Sequence, residues 1–126
     1  MAREYARKQR VAKLLKEEIS RLLQREVKDA RIGMVTVTDV EVTADLKYAT
    51  VYFQTSGDEG RKTEALEGLS SAAGFLRSRL GRELRLRRVP ELRFAIDPTQ
   101  EKAARIAELL AEVRASEQQG EGEDGH

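Results

Sequence analysis

The chain has 126 residues, 36% of them charged and 40% apolar, which suits one domain with a single core and is too apolar for a disordered chain. It has no Cys, and its one His is the last residue, His126, which excludes disulfides, thiolate metal sites and any nucleophile system built on an internal histidine. No apolar run approaches the roughly 20 residues of a membrane span, and MAREYARKQR lacks the apolar core of a signal peptide, so a cytoplasmic protein without membrane contact is expected.

From Arg3 to about Lys28, Val11, Leu14, Leu15, Ile19, Leu22, Leu23 and Val27 recur at three- and four-residue steps, the pattern of an amphipathic helix. Gly33 then supplies a stop. MVTVTDVEVT alternates Val35 and Val37 with Thr36 and Thr38, and LKYATVYFQT alternates Ala49, Val51 and Phe53 with Tyr48, Tyr52 and Gln54. Both predict strands, and the short polar break Thr43-Ala44-Asp45 predicts an antiparallel hairpin. Ser56 to Gly60 reads as a loop.

Ala65, Leu66, Leu69, Ala73, Leu76 and Leu80 continue one helical face through Gly74, where an interior glycine costs roughly 1 kcal/mol relative to alanine. Close packing of a small residue would account for it. So would a kink at Ala72-Ala73-Gly74 joining two short helices and bringing backbone near a ligand. The kink explains both pattern and glycine, and Gly81 offers an end for the second piece. Leu84, Leu86, Leu92, Phe94 and Ile96 at even positions predict a third strand, bent or on an edge because of Pro90. Asp97, Pro98 and Gln100 stand as N-cap, N1 and N3 of a last helix reaching about Arg114. After Ser116 nothing apolar remains, so 116–126 is expected to be a disordered acidic tail beyond a domain spanning 1–115. The order is that of an α+β domain with helices on one face of a small sheet.

The net charge of +1 conceals strong segregation: residues 1–31 hold ten Lys/Arg against five Asp/Glu, and residues 77–93 hold seven Arg against two Glu. Two basic segments in one small domain point to a polyanion such as nucleic acid. At 100° per residue, Arg3, Arg7, Arg10, Arg21, Arg25 and Lys28 fall within a sector of roughly 60°. That forms a stripe beside the apolar face, with only Leu14 intruding.

Catalytic patterns are missing. Asp39, Glu41, Asp45, Asp58 and Glu59 lie near one another without the spacing of a known carboxylate site, and no phosphate-binding loop of the GxxxxGK[ST] kind occurs. Gly57-Asp58-Glu59-Gly60 matches the GxxG by which KH domains clamp nucleic-acid backbone, but it lies between a strand and a helix and its middle residues are acids that would repel phosphates. No enzyme, cofactor, metal or small-molecule substrate is expected.

EISRLLQREVKDARIGMVTVTDVEVTADLKYATVYF and AAGFLRSRLGRELRLRRVPELRFAID closely resemble the bacterial ribosome-binding factor A family over roughly residues 3–97. The most specific stretches are Arg85 to Phe94 followed by Asp97, and Val40 to Leu46 in the hairpin. The resemblance implies a single KH-like (type II) domain, α-β-β-α-kink-α-β with a C-terminal helix, in which Ala72-Ala73-Gly74 is the Ala-x-Gly kink replacing the GxxG loop. It also implies an assembly factor, a cytoplasmic and monomeric protein, that binds the free 30S subunit and 16S ribosomal RNA and assists late RNA processing, notably in the cold. The RNA-binding candidates are Arg3, Arg7, Lys8, Arg10, Arg21, Arg25 and Lys28, then Ala72, Ala73 and Gly74, then Arg77, Arg79, Arg82, Arg85, Arg87 and Arg88. The alternative is an Arg-rich module that binds an acidic protein partner.

Overall fold

The computed structural model describes the backbone of residues 2–124 and the side chains of residues 2–118, so His126 lies outside the described residues. The elements are α1 (Ala2–Arg25), β1 (Thr36–Val42), β2 (Tyr48–Gln54), α2 (Glu59–Glu83), β3 (Glu91–Ile96) and α3 (Thr99–Asp124). The α+β class is as the sequence predicts. Helix α1 buries Val11, Leu15, Ile19 and Leu22, one face at helical spacing. Strand β2 buries Ala49, Val51 and Phe53 in strict alternation. Strand β1 departs from that period, because its buried valines are Val37, Val40 and Val42. A β-bulge absorbs the extra residue: Val37 pairs with Phe53 and Asp39 with Tyr52, leaving Thr38 over, so all three valines reach the same core.

The sheet order is β1-β2-β3, with β1 antiparallel and β3 parallel to the central β2. Strand β3 is shorter than the alternation from Leu84 suggests. Pro90 has no amide to donate, so Leu84 to Pro90 stays irregular and the ladder begins at Glu91, whose amide reaches the Lys47 carbonyl at 2.8 Å. Leu84, Leu86 and Val89 still pack on the core from that irregular segment, which produces the apolar periodicity without a strand.

Two short helices are not found there: the segment is one element. Helix α2 runs unbroken from Glu59 to Glu83, through Ala72-Ala73-Gly74 and past Gly81. Ala65, Leu69, Leu76 and Leu80 are buried on one face across both halves, and each fully buried leucine contributes about 1.5–3 kcal/mol, enough to outweigh the glycine. Nor is Gly74 packed: a Cβ there would meet nothing within 4 Å. Close packing occurs six residues earlier, at Gly68, where a Cβ would lie 2.9 Å from Ile32 Cγ1 and 3.3 Å from the Ile32 amide nitrogen. The two glycines therefore predict opposite outcomes. Gly74→Ala should raise stability by about 0.5–1 kcal/mol, and Gly68→Ala should lower it by about 1 kcal/mol as overpacking outweighs the gain in propensity. Urea unfolding of the two variants checks this, and equal shifts would contradict it.

Helix α3 continues to Asp124, so the described part of the segment expected to be disordered is helical. Alanine, glutamate, arginine and glutamine carry it past Arg114 with no proline to stop it. Its Ile106, Leu109, Leu110 and Val113 are each about half exposed. Lys62 reaches back to Glu101 at 3.0 Å. The helix begins at Thr99, and Asp97 stands just outside it, accepting from the Thr99 amide at 2.8 Å. The same carboxylate accepts from the hydroxyl of Thr38, the bulge residue, and so ties the start of α3 to β1. Bonds from Thr38 first, then from Thr99, hold its pKa below the ordinary 3.8. A carboxylate depressed in the folded state stabilises above its unfolded pKa, and the contribution is lost as pH falls through the folded one. Between about pH 5 and pH 3 the wild-type thermal midpoint should fall more steeply than that of Asp97→Asn. Parallel curves would show that Asp97 does not carry this dependence.

Candidate nucleic-acid interface

Because β2 and β3 are parallel, their first residues lie side by side, Tyr48 opposite Glu91. The β1–β2 turn and the α2–β3 connection therefore meet at one end of the sheet, against the N-terminal half of α1. Between them is a cleft of about 600 Å³. Arg7, Arg10, Val11 and Leu14 line it from α1, Ala44, Asp45 and Leu46 from the turn, and Arg85, Leu86, Arg87 and Arg88 from the connection. Five candidate arginines from two distant parts of the sequence thus share one cavity. Among the described residues none of the five makes an ion pair. Their guanidinium forks are free for a planar anion such as phosphate.

The turn is held tightly. The Leu46 amide donates to the Thr43 carbonyl at 2.8 Å, the Thr43 hydroxyl to Asp45 at 2.7 Å and the Lys47 amide to Asp45 at 3.0 Å. The Thr43 hydroxyl, then the Lys47 amide, depress the Asp45 pKa, so the one carboxylate lining the cleft is engaged by its own turn. Leu46 takes a φ of 61°, costly for a residue with a Cβ, while its side chain packs on the core. A second hollow of about 530 Å³ shares Leu46 and Arg88 with the first and is lined also by Lys47, Tyr48 and Arg77. The basic surface therefore continues round the tip of the hairpin.

Other candidates are placed differently. Arg21 is paired with Glu18, so it is not a free member of the stripe. Arg79 bridges Glu26 at 2.8 Å and Glu83 at 3.7 Å, its Nε is enclosed, and its guanidinium lies 6.0 Å from the Phe75 ring centre, so it clamps α1 to α2. Arg77 donates twice to the Val89 carbonyl, at 3.1 and 3.2 Å, and orders the connection that carries Arg85 to Arg88. Lys8 is half-buried and shares a separate hollow with Asp39 and Glu41. Arg3 and Arg25 are exposed on α1 and Arg82 is exposed on α2, all three outside the cleft. Lys28 lies beyond the end of α1, in a hollow with Ala72 and Phe75. Ala72 and Ala73 pack on the core, and Gly74 is exposed, about 13–14 Å along α2 before the helix ends at Glu83.

The scattered carboxylates have structural work. Asp58 caps α2 by accepting from the Arg61 amide, Glu41 accepts from the Tyr52 hydroxyl at 3.2 Å, and Asp39 accepts from the Val40 amide. Sequence reading took Asp58 as part of a loop, although an Asp immediately before a helically periodic run is a capping signal. It also missed Leu46, whose positive φ has no sequence mark. No group of three or more His, Cys, Asp or Glu that could hold a metal occurs among the described residues, and no described helix is long and apolar enough to cross a membrane.

Fold and cleft together define a small α+β domain with a strongly basic cleft at one end. The sequence profile described as ribosome-binding factor A matches residues 7–110. Ribosome-binding factor A of Desulfitobacterium hafniense is 48% identical over 117 residues, covering 93% of this chain and 94% of that one. That of Thioalkalivibrio sulfidiphilus is 45% identical over 117 residues, covering 93% and 91%. The crystal structure of ribosome-binding factor A from Thermus thermophilus superposes with a TM-score of 0.64 at 30% identity, covering 71% of this chain and 93% of that one. A homology model of the Thermus thermophilus factor, fitted into a cryo-EM map of its 30S complex, matches with a TM-score of 0.56 at 31% identity, covering 68% and 90%. This chain belongs to the ribosome-binding factor A family.

The contrast between paired and unpaired arginines is measurable. Arg79→Gln should cost about 1 kcal/mol, because it leaves Glu26 and Glu83 without their partner, while Arg87→Gln should stay within about 0.5 kcal/mol. Chemical denaturation distinguishes them, and similar losses would mean that Arg87 also has a structural role.

Proposed function

We propose that this protein is a noncatalytic assembly factor that binds the free 30S subunit through 16S ribosomal RNA and assists late RNA processing and subunit maturation, including in the cold. It acts in the cytoplasm as a monomer, with no cofactor and no small-molecule substrate. The observation that carries this reading is the cleft where Arg7, Arg10, Arg85, Arg87 and Arg88 converge without ion-pair partners, in a chain whose relative from Thermus thermophilus has been fitted into a 30S complex. Unpaired guanidinium groups at a rigid corner grip successive phosphates and release the counterions condensed on the RNA, which favours association and makes it salt-dependent. Arg3, Lys8, Arg25, Lys28 and Arg82 extend the field around that grip. Arg21, Arg77 and Arg79 support it through the structure they hold. Exposed Gly74 has no Cβ, so RNA backbone can approach α2 closely there, a use that needs no break in the helix.

Changing Arg7, Arg10, Arg85 and Arg87 to Gln should weaken 30S binding and flatten the log-log salt dependence by up to about 3–4 units, near one per lost phosphate contact. Co-sedimentation with purified subunits over a salt series measures it, with circular dichroism confirming the fold. An unchanged slope in the folded variant would remove the cleft from the RNA interface. Retained binding that ignores salt would favour an acidic protein partner instead.

A further inference from the structure

We infer that the arginine cleft receives an unstacked nucleobase of single-stranded RNA, and not only the backbone of a duplex. This rests on the RNA-binding reading above and names which part of the RNA the site takes. A surface that only neutralises phosphates needs cations and has no use for an apolar lining. Here the arginines rim a concave space of about 600 Å³, within the usual range for a pocket that holds a small planar ligand. Its apolar lining is aliphatic, supplied by Val11, Leu14, Leu46 and Leu86.

Leu14 is the telling residue. It is the one apolar side chain that intrudes into the arginine stripe of α1, and it remains 37% exposed while its neighbours Val11 and Leu15 are buried in the core. Folding leaves that surface in water, at the mouth of a cleft lined by Arg7 and Arg10. Leu46 adds to this from the other side. It holds a φ of 61°, a conformation that glycine adopts without cost, and contributes a side chain that separates this cleft from the adjoining basic hollow. An aliphatic lining interleaved with guanidinium groups suits the faces of a base, and the same forks can reach the phosphates on either side of it. Bases within a duplex are stacked and cannot enter. The RNA selected is therefore a strand, loop or end with at least one base free to leave its stack.

The test uses the full chain and three short probes at matched salt: an oligouridylate, an abasic ribose-phosphate chain of the same length, and an RNA duplex of comparable phosphate number. Fluorescence anisotropy should show the oligouridylate binding about five- to a hundredfold more tightly than the abasic chain, the range expected for one stacked base, and more tightly than the duplex. Leu14→Gln should reduce the ratio of oligouridylate to abasic affinity below about threefold, and Leu14→Met, which keeps an apolar surface, should restore it. Equal affinities for oligouridylate and abasic chain overturn the base pocket whether or not a variant folds. In that event the RNA-binding reading stands if the variant with Arg7, Arg10, Arg85 and Arg87 changed to Gln still loses the abasic chain. An unchanged ratio in folded Leu14→Gln also overturns the proposal. No binding of any probe or of 30S subunits removes both readings together.

Discussion

Parallel pairing of β2 with β3 is the constraint from which the rest of the architecture follows. Antiparallel neighbours can be joined by a tight turn, as β1 and β2 are, but a parallel pair needs its connection to return the full length of the sheet. Helix α2 supplies that return. It delivers the chain to the end where β2 begins, with Glu91 beside Tyr48. The connection from Leu84 to Pro90 must therefore pass the hairpin turn and the N-terminal half of α1. Arginines nearly eighty positions apart in sequence, Arg7 and Arg85, are brought to one cleft by this single crossover.

The crossover also decides which cations are free. Along α2, Arg79 faces α1 and is consumed by Glu26 and Glu83, while Arg77 is consumed by the Val89 carbonyl. These two secure the helix and its exit. Beyond Leu84 the backbone is irregular, so leucines and arginines can be sorted by direction without a regular period: Leu84, Leu86 and Val89 pack inward, and Arg85, Arg87 and Arg88 stay exposed. The structural arginines thus hold rigid the segment that presents the unpaired ones. A guanidinium on a fixed backbone loses less freedom on gripping a phosphate than one on a mobile tail.

Those relations explain what the sequence could and could not disclose. Amphipathic α1, alternating β2 and the hairpin break at Thr43 to Asp45 were legible because each pattern is local and its period is undisturbed. The bulge at Thr38 was not, since one extra residue in a strand leaves no compositional trace. Leu84 and Leu86 mimicked a strand because inward-outward alternation needs only a core on one side, whereas a ladder also needs amide donors, which Pro90 lacks. The glycine question misled for a related reason. Propensity measures the backbone cost at Gly74, but packing on both sides of it decides whether the helix continues, and the contact that does require a glycine is at Gly68, against a loop that only tertiary structure brings near. At the site, the two basic segments were legible as runs of charge. The division of arginines into paired and unpaired was hidden, because Glu26 and Glu83 meet Arg79 only in three dimensions.

Net charge gives a final step. A total of +1 provides almost no overall attraction to a polyanion, so binding depends on how the charge is distributed. Five unpaired guanidinium groups line one corner of the molecule, while Asp39 and Glu41 sit along β1 in a separate hollow, with Lys8 beside them. The two hollows adjoin along α1, so the unpaired basic charge is concentrated at one corner without an acidic face set opposite it. Near a polyanion, whose field is steep within a Debye length of roughly 8–10 Å, such a corner would be drawn in more strongly than the rest of the surface. Attraction confined to one corner favours encounters through the cleft without strengthening indiscriminate binding elsewhere. It is a property of segregation, which a uniformly basic domain of the same fold would not have.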